Sequence, residues 1–412
     1  MKAEKIYPTL KKDSCVSHYN FVDEAKSGCD LPEKVSIMDL TLREGEQAAM
    51  SGFRPEDKVE IAQMLDQAGV HYIQVGYPGL SASENRMIKK ITKLGLRAKV
   101  GGICVIYLPE WREQIEKAID LGIEWVSVAY GLSPIRMDYV MKVPLEEAIG
   151  RCLEATELAA KKNLTVRFSA TDTTRTPLET LFNVYRKAVQ AGAAMVSVAD
   201  TAGAIGPLGM RYLVRHIRQA VRVPVVVHCH NDFGLAMANT MAGIEAGASL
   251  VDVTVNGIGE RAGNAPLDEV AAALTHVFGY DLGIKLGMMK EISERVAQLS
   301  KIPLSPMKPL VGESAFTNTL GAHQWGARQG WFVYEPILAE VVGNQRKFPL
   351  GRLTHHLLVR DKLAEQGYSN FSEYSIRKIA EKVRSLAEKE GRFVTEKELK
   401  EIGQKEIKKL KC

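Results

Sequence analysis

The segment HCHND at residues 228–232 is the sequence feature that most directly predicts chemistry. On a β-strand, side chains at positions i and i+2 share a face, so His228 and His230 are expected to project together while Cys229 points the other way. Two imidazoles on one face, at the carboxyl end of a strand, form half of a metal site. The alternative for an isolated pair of this spacing is two core histidines that hydrogen-bond to their neighbours. A metal site would need further ligands, and these must come from other strand ends.

A second polar segment, DLTLREGEQ at residues 39–47, supplies such a ligand. Glu44 offers an anionic oxygen to a metal ion, and Arg43 beside it offers a cation that can polarise a carbonyl group or stabilise a developing oxyanion. The alternative is an ordinary ion pair in a loop. Two histidines and one carboxylate leave open positions on a divalent ion, which suits chelation of a 2-oxo acid through its ketone and carboxylate. Mixed nitrogen and oxygen ligands do not decide between zinc, manganese and magnesium.

A third segment, NGIGERAGNAP at residues 256–266, contains Glu260, Arg261 and Asn264. Its glycines are spaced G-x-G-x-x-x-G, and the segment follows the last predicted strand instead of the first. Both features disagree with the phosphate-binding loop of a dinucleotide-binding domain. We therefore exclude a Rossmann fold.

The elements that must position these residues repeat regularly. Eight short runs rich in β-branched residues alternate with amphipathic helical stretches, most of which end in glycine. The runs begin about 31 residues apart, at positions 35, 71, 98, 124, 165, 195, 223 and 250. This pattern predicts an α/β fold, a (β/α)8 TIM barrel, with a doubly wound open sheet as the rival. In such a barrel the chemistry lies at the carboxyl ends of the strands.

The rest of the chain is divided by its change in character. We predict an N-terminal arm over 1–30, the barrel as a catalytic domain over 31–282, a linker subdomain over 283–345 and a C-terminal helical subdomain over 346–412. The linker region is rich in glycine and aromatic residues, and the last region is charged and helical in pattern. The C-terminal region is therefore predicted to consist of two small helical subdomains.

Composition limits the class of protein. A formal charge of +5 on 412 residues, 46% of them hydrophobic, excludes a disordered chain and gives little support to nucleic-acid binding. The six cysteines show no CxxC pair and no regular spacing, which indicates a reducing compartment. The sequence has no apolar run long enough for a membrane span. We expect a cytoplasmic protein that binds small molecules, with no membrane or nucleic-acid partner.

Five ordered motifs carry a resemblance to a known family. The motifs lie in order over about residues 35–345 and read DLTLREGEQ, SVADTAGAIGP, HCHNDFGLAMANTMAGIEAGA, VDVTVNGIGERAGNAPLDEV and GESAFTNTLGAHQWG. They resemble those of the 2-isopropylmalate synthase and homocitrate synthase family, which are acetyl-CoA-dependent, Claisen-condensing TIM-barrel enzymes of amino-acid biosynthesis. The resemblance implies an acyltransferase that uses a divalent metal ion and acetyl-CoA and forms a 2-hydroxy-2-carboxymethyl diacid.

The resemblance also implies roles for individual residues. By position, the metal ligands are Glu44, His228, His230 and Asn264. The residues with an implied catalytic role are Arg43 on the ketone, His323 as the base for acetyl-CoA, Tyr334 as its assistant, and Glu260 of the GER motif. The substrate-binding set is Arg43, Gln47, Arg167, Ser169, Thr171 and Thr201, with Thr201 on the carboxylate of the 2-oxo acid. The family further implies a homodimer in which the C-terminal subdomain reaches the partner's barrel.

Two departures leave the 2-oxo acid open. Thr171 stands in the fifth strand where family members usually have glutamate, so the pocket wall has lost a carboxylate. Arg167 resembles the arginine of homocitrate synthases and would suit a second substrate carboxylate, yet the third strand lacks their histidine. That strand contains Gly101 and Gly102, which suggest a close backbone approach or extra room in the pocket, but a strand bulge is the reading we expect.

Two other functions are compatible with a barrel of this kind. A carbon-carbon lyase or aldolase such as hydroxymethylglutaryl-CoA lyase would use the same scaffold, but those lyases place a cysteine after the last strand, and no cysteine lies between 229 and 412. A noncatalytic metabolite-binding barrel is favoured only by Thr171. It would not need the combination of Arg43, Glu44, His228, His230, Asn264 and His323. We also expect no leucine-regulated C-terminal domain in the 130 residues that follow the barrel.

Overall fold

Eight parallel strands close into a barrel in the computed structural model, which describes residues 11–410. Each strand pairs with the next along the chain, and β1 pairs with β8. The predicted TIM barrel is therefore confirmed, and the open sheet is excluded. The strands β1 to β8 are Ser36–Asp39, Tyr72–Gln74, Lys99–Val105, Trp125–Gly131, Thr165–Thr171, Ala193–Asp200, Val225–Cys229 and Leu250–Val253.

Helices connect successive strands and cover the outside of the barrel. Gly69 and Gly122 end two of these helices in the left-handed conformation, at φ of 90° and 80°, as the helix-glycine-strand pattern predicts. The helices α1 to α11 are Asp23–Lys26, Pro55–Ala68, Ala82–Thr92, Trp111–Leu121, Pro134–Arg136, Leu145–Lys161, Leu178–Gln190, Pro207–Ala220, Ala236–Glu245, Leu267–His276 and Met289–Ser300. None of the helices within residues 11–410 combines the length and the apolar character needed to cross a bilayer.

The lower part of the barrel interior is a closed apolar floor. Met38, Trp125, Met195, Val226 and Leu250 pack together there from five strands and are almost completely buried. Since side chains alternate along each strand, the next inward positions towards the carboxyl ends carry the polar residues of the site. The apolar floor therefore lies directly beneath the polar residues of the site and holds their strands in place.

Gly101 makes room for this floor. A Cβ atom on Gly101 would lie 1.9 Å from the Trp125 ring, so only glycine lets the indole pack against β3. The pairing of β3 with β4 runs without a register shift through Gly101 and Gly102. The expected bulge is wrong, and the close approach of an aromatic ring explains Gly101.

The described residues divide into two compact units, one from Tyr19 to Leu304 that contains the barrel, and one formed by residues 11–18 with 305–410. In the second unit the helices α12 to α15 are Gly321–Gln329, His356–Glu365, Glu373–Glu390 and Glu396–Leu410. Its helices enclose an apolar core that includes Val359, Leu363, Ile379 and Leu399. Of the N-terminal arm predicted over 1–30, residues 1–10 lie outside the described residues.

Candidate active site and metal centre

Glu44, His228 and His230 lie together at the carboxyl ends of β1 and β7. One ligand atom from each residue lies within 4.8 Å of the others. The two imidazoles enter the barrel from the same face of β7, with 3.1 Å between their Nε2 atoms. The Oε1 atom of Glu44 lies 3.7 Å from Nε2 of His230. Nitrogen atoms about 3 Å apart suit two ligands that bind one ion at about 2.1 Å each.

Unpartnered polar atoms surround this cluster. The Nδ1 atom of His230 and the Oδ1 atom of Asn264 are buried and have no hydrogen-bond partner among the described residues. Asn264 pairs with His230 through an isolated antiparallel bridge, and its Nδ2 donates to the carbonyl of Cys229 at 3.4 Å. A buried oxygen without a partner is destabilising unless something binds it. The donor set and these unpartnered atoms fit a divalent cation.

A buried carboxylate orients His228. The Oδ2 atom of Asp252 accepts a hydrogen bond from Nδ1 of His228 at 3.0 Å, which leaves Nε2 of that ring with a lone pair towards the cluster. Arg167 donates two hydrogen bonds to the same carboxylate, at 2.9 and 2.6 Å. Burial alone would raise the pKa of Asp252, but the charge of Arg167 and the hydrogen bond from His228 hold it below the usual value. The carboxylate is therefore ionised.

The protonation states of His230 and Glu44 are those that suit metal binding. Burial, together with the charge of His228, lowers the pKa of His230 to about 4, so this imidazole is neutral at physiological pH. Burial would raise the pKa of Glu44, but Arg43 and the two histidines lower it below the usual value. A neutral imidazole and an ionised carboxylate are the protonation states that bind a metal ion.

Arg43 is held in place from two sides. Its Nη1 donates to the carboxylate of Glu44, and its Nε donates to Oε1 of Gln74 at 2.6 Å. Arg43 and Glu44 are both buried. A guanidinium fixed in this way next to a metal cluster can act on a bound carbonyl oxygen.

A cavity of about 400 Å³ opens above the cluster. Its volume suits a small metabolite. Ten residues expected in the site line it, namely Arg43, Glu44, Gln47, Arg167, Ser169, Thr171, Thr201, His228, His230 and Glu260. The structure therefore brings these expected residues together around one cavity. They lie at the carboxyl ends of β1, β5, β6 and β7 and in the loop after β8.

A family profile described as HMGL-like matches residues 34–296, which is more than half of the chain. The chain belongs to this family. Among curated relatives, it is 38% identical to the 2-isopropylmalate synthase of Methanocaldococcus jannaschii, over 91% of this chain and 72% of that protein. It is also 38% identical to the homocitrate synthase AksA of Methanothermobacter thermautotrophicus, over 92% of this chain and 95% of that protein.

The (R)-citramalate synthase CimA of Methanocaldococcus jannaschii is 39% identical, over 88% of this chain and 72% of that protein. The expected membership of the 2-isopropylmalate and homocitrate synthase family, and the expectation of an enzyme of this type, are therefore confirmed. A solved hydroxymethylglutaryl-CoA lyase from Bacillus subtilis has a TM-score of 0.60 at 19% identity, covering 66% of this chain and 96% of that one. At that identity the likeness shows the shared barrel alone.

Thr201 of the enzyme has a hydroxyl group available for a ligand. Its Oγ1 accepts a hydrogen bond from the backbone amide of Asp172 at 2.8 Å, so the O–H is free to donate elsewhere. Gln47 donates to the Tyr77 hydroxyl at 2.7 Å, and Ser169 shares a 2.8 Å hydrogen bond with Ser197. These polar groups line the wall of the cavity in fixed orientations.

His323 and Tyr334 belong to the second compact unit of the enzyme. Their rings lie with centroids 4.3 Å apart and tilted by 34°. His323 lies in α12, and both side chains are exposed. The structure thus brings these two residues together, while their expected role in the reaction stays a prediction.

Sequence reasoning missed several residues in and next to the cavity. Asp252 could have been recognised from the sequence, because it is an acid within the apolar strand LVDV, where only a buried partner would stabilise it. Arg136 and Tyr107 follow the ends of β4 and β3, where a barrel places its site residues, but nothing in their spacing distinguishes them from other loop residues.

Proposed function

We propose that the enzyme condenses acetyl-CoA with a 2-oxo acid, with a divalent metal ion, and releases CoA and a 2-hydroxy-2-carboxymethyl diacid. One observation carries the proposal. Arg43, Glu44, His228 and His230 face one cavity of metabolite size, in a chain whose relatives are named 2-isopropylmalate, homocitrate and citramalate synthases. Scaffold stability alone does not require this combination.

The metal ion would be held by Glu44, His228 and His230, with Oδ1 of Asn264 as a further oxygen ligand. The unpartnered Oδ1 atom and the neutral state of His230 support this set. When bound, the ion supplies a Lewis acid for the ketone and carboxylate of the 2-oxo acid. Zinc, manganese and magnesium all accept ligands of this kind.

The residues of the chain have separate tasks in this proposal. Arg43 donates to the ketone oxygen and stabilises the negative charge that grows there as the new carbon-carbon bond forms. Thr201 donates its free O–H to the carboxylate of the 2-oxo acid. Gln74 and Glu44 hold the Arg43 guanidinium in position, which their hydrogen bonds support. Gln47 and Ser169 complete the polar wall.

The proton transfers are assigned to His323 and Tyr334 of the second unit, together with Glu260 of the barrel. A ring nitrogen of His323 takes a proton from the methyl group of acetyl-CoA, assisted by Tyr334 and Glu260. The methyl carbon then bonds to the ketone carbon, and the former ketone oxygen takes up a proton. Water cleaves the thioester, which releases CoA as a thiol and leaves a new carboxylate on the former acetyl group.

A homodimer is part of the proposal, because the family's second unit serves the barrel of a partner subunit. Mixing inactive His228→Ala and inactive His323→Ala protein tests this. If each dimer exchanges subunits, a fraction of mixed dimers regains one intact site and activity returns. Activity that does not return in a mixture with proven subunit exchange contradicts a shared site.

The reaction itself is tested by thiol release. Purified enzyme with zinc, manganese or magnesium is incubated with acetyl-CoA and one of a panel of pyruvate, 2-oxoisovalerate, 2-oxoglutarate, oxaloacetate and bulkier analogues. We expect free thiol to appear with at least one 2-oxo acid and to disappear on chelation of the metal. No release with any of them, at any metal, contradicts the proposed function.

A further inference from the structure

Arg136 enters the cavity beside Thr171, at a place the proposed chemistry does not use. It ends the short helix α5 (Pro134–Arg136), which is followed by a π-helical turn over Met137–Met141. A Cβ atom on Gly131 would lie 2.3 Å from Cδ of Arg136 and 3.2 Å from Oγ1 of Thr171. The absent side chain at Gly131 therefore lets the stem of Arg136 cross the end of β4 next to Thr171. We name Gly131, Arg136 and Thr171 the Arg136 corner.

Hydrogen bonds hold the loop after β4, which carries Arg136, in position. Ser133 is fully buried; its hydroxyl donates to the carboxylate of Asp172 and accepts from the backbone amide of Arg136 at 3.3 Å. Asp172 in turn accepts from Arg175 at 2.7 Å, and its amide donates to Thr201. The loops after β4, β5 and β6 are thereby joined. An arginine on such a connected base is preorganised for a ligand.

Arg136 differs in its charge balance from the other arginines that line the cavity. Those three are each paired with a carboxylate, Arg43 with Glu44, Arg167 with Asp252 and Arg261 with Asp232. In residues 11–410, no carboxylate forms an ion pair with Arg136, and its neighbour Thr171 is neutral. A half-buried cation that faces a cavity without a counter-charge selects for an anionic ligand.

The Arg136 corner lies across the barrel from the metal cluster. Its residues lie at the carboxyl ends of β4 and β5, whereas the cluster lies at the carboxyl ends of β1 and β7. In the closed barrel β8 lies between β7 and β1, and β4 is opposite β8. A 2-oxo acid bound at the cluster by its ketone and first carboxylate would extend its side group in this direction. Arg167 does not offer a free charge on the way, because Asp252 takes both of its terminal nitrogens.

We propose that Arg136, placed beside Thr171 by Gly131, recognises a second anionic group on the 2-oxo acid, so that the substrate is a dianion. This inference rests on the proposed condensation reaction. A phosphate of acetyl-CoA has the same charge and would satisfy the same arginine, and the experiment separates the two sources.

The test compares 2-oxo acids of equal length with and without the second carboxylate, namely 2-oxoglutarate against 2-oxopentanoate and oxaloacetate against 2-oxobutyrate. In the wild-type enzyme, kcat/KM is expected to favour the dianion by about 100-fold. Arg136→Gln should remove most of this preference by lowering kcat/KM for the dianion, with the monoanion changed less than about 3-fold. Arg136→Lys should keep part of it.

Arg222→Gln is the matched control, since Arg222 is an exposed arginine before β7 and far along the chain from the corner. It should keep the wild-type preference. Equal losses for both members of a pair, with a raised KM for acetyl-CoA, would assign Arg136 to a CoA phosphate and overturn the inference. A wild-type preference for the uncharged side group would also overturn it while leaving the condensation reaction intact.

A binding measurement keeps the inference testable if no 2-oxo acid releases thiol, which is the result that contradicts the proposed function. Calorimetry of the metal-loaded enzyme should then show tighter binding of 2-oxoglutarate than of 2-oxopentanoate, and Arg136→Gln should remove the difference. Equal affinities in the wild-type enzyme overturn the inference. Circular dichroism and the Tm of Arg136→Gln check that the variant is folded.

Discussion

The two sides of the cavity differ in how their charges are balanced. On the metal side, formed by Glu44, His228, His230 and Asp252, each charge meets an opposite charge or a hydrogen bond within the protein. On the other side, the Arg136 corner carries a cation beside a neutral threonine. The difference indicates that the metal side is assembled before substrate arrives, whereas the Arg136 corner obtains its counter-charge from a ligand.

The largest expected effect comes from breaking the metal side. His228→Ala removes a proposed nitrogen ligand and leaves Asp252 without its histidine, so we expect loss of bound metal and a ~1,000-fold fall in kcat. Metal content after dialysis and the rate of thiol release measure both. His216→Ala, at a partly buried histidine of α8 on the outside of the barrel, should leave both unchanged. Full metal content with full turnover in His228→Ala would exclude this histidine as a ligand.

Asp252→Asn tests the carboxylate that orients His228 on the metal side. The amide keeps the shape but removes the charge that orients His228 and neutralises Arg167, so metal affinity should fall about 10- to 100-fold. Titration with a competing chelator measures this affinity. Arg167→Gln leaves the bond between His228 and Asp252 in place and should weaken metal binding less. The opposite order of the two variants would mean that Arg167, not Asp252, positions the histidine.

Gly131→Ala probes the Arg136 corner without touching its charge. The new methyl group would overlap Cδ of Arg136 and displace the guanidinium, so kcat/KM for a dianionic 2-oxo acid should fall about 10-fold. Metal affinity should stay at the wild-type value, because the metal side does not contact Gly131. Gly150→Ala, at an open position of α6, is the control. A change in metal affinity would show that the two sides are not independent.

Asp39 of β1 is a buried acid close to Asp252 of the metal side, and within residues 11–410 no cation forms an ion pair with it. Burial, offset in part by the hydrogen bond from the Thr41 amide, raises its pKa to about 7 from 3.8. Since the folded state binds this proton more tightly than the unfolded state, stability should fall as the pH rises from about 4 to 7. Relative to Asp39→Asn, the wild type should lose at most ~1.4 kcal/mol of unfolding free energy per pH unit. Denaturant titrations at pH 5, 6 and 7 measure it, and parallel curves would contradict the raised pKa.

The sequence predicted the barrel and the paired histidines because both depend on short-range patterns. Strand periodicity and alternation decide which face His228 and His230 share, and both are readable along the chain. Asp252 and Arg167 were harder, since they lie on β8 and β5, 85 residues apart, and meet only when the barrel closes. Arg167 therefore looked like a free substrate ligand until the structure showed its partner.

Arg136 was missed for a related reason. Arg136 matters because no carboxylate within residues 11–410 neutralises it. Whether a carboxylate lies nearby depends on the residues of every neighbouring strand, which the sequence around Arg136 does not show. Thr171, which the sequence identified as a departure from the family, gains a meaning from it, because the neutral residue leaves Arg136 without a partner in the described chain. The two observations explain each other.

The packing of Trp125 against Gly101 also has a kinetic consequence. The indole and its apolar neighbours close the barrel from below, so the cavity is reached through its mouth. In the proposed reaction, a small 2-oxo acid that binds at the bottom would have to enter before the much larger thioester at the opening. We therefore expect an ordered addition of substrates, set by a floor of hydrophobic side chains that takes no part in the chemistry.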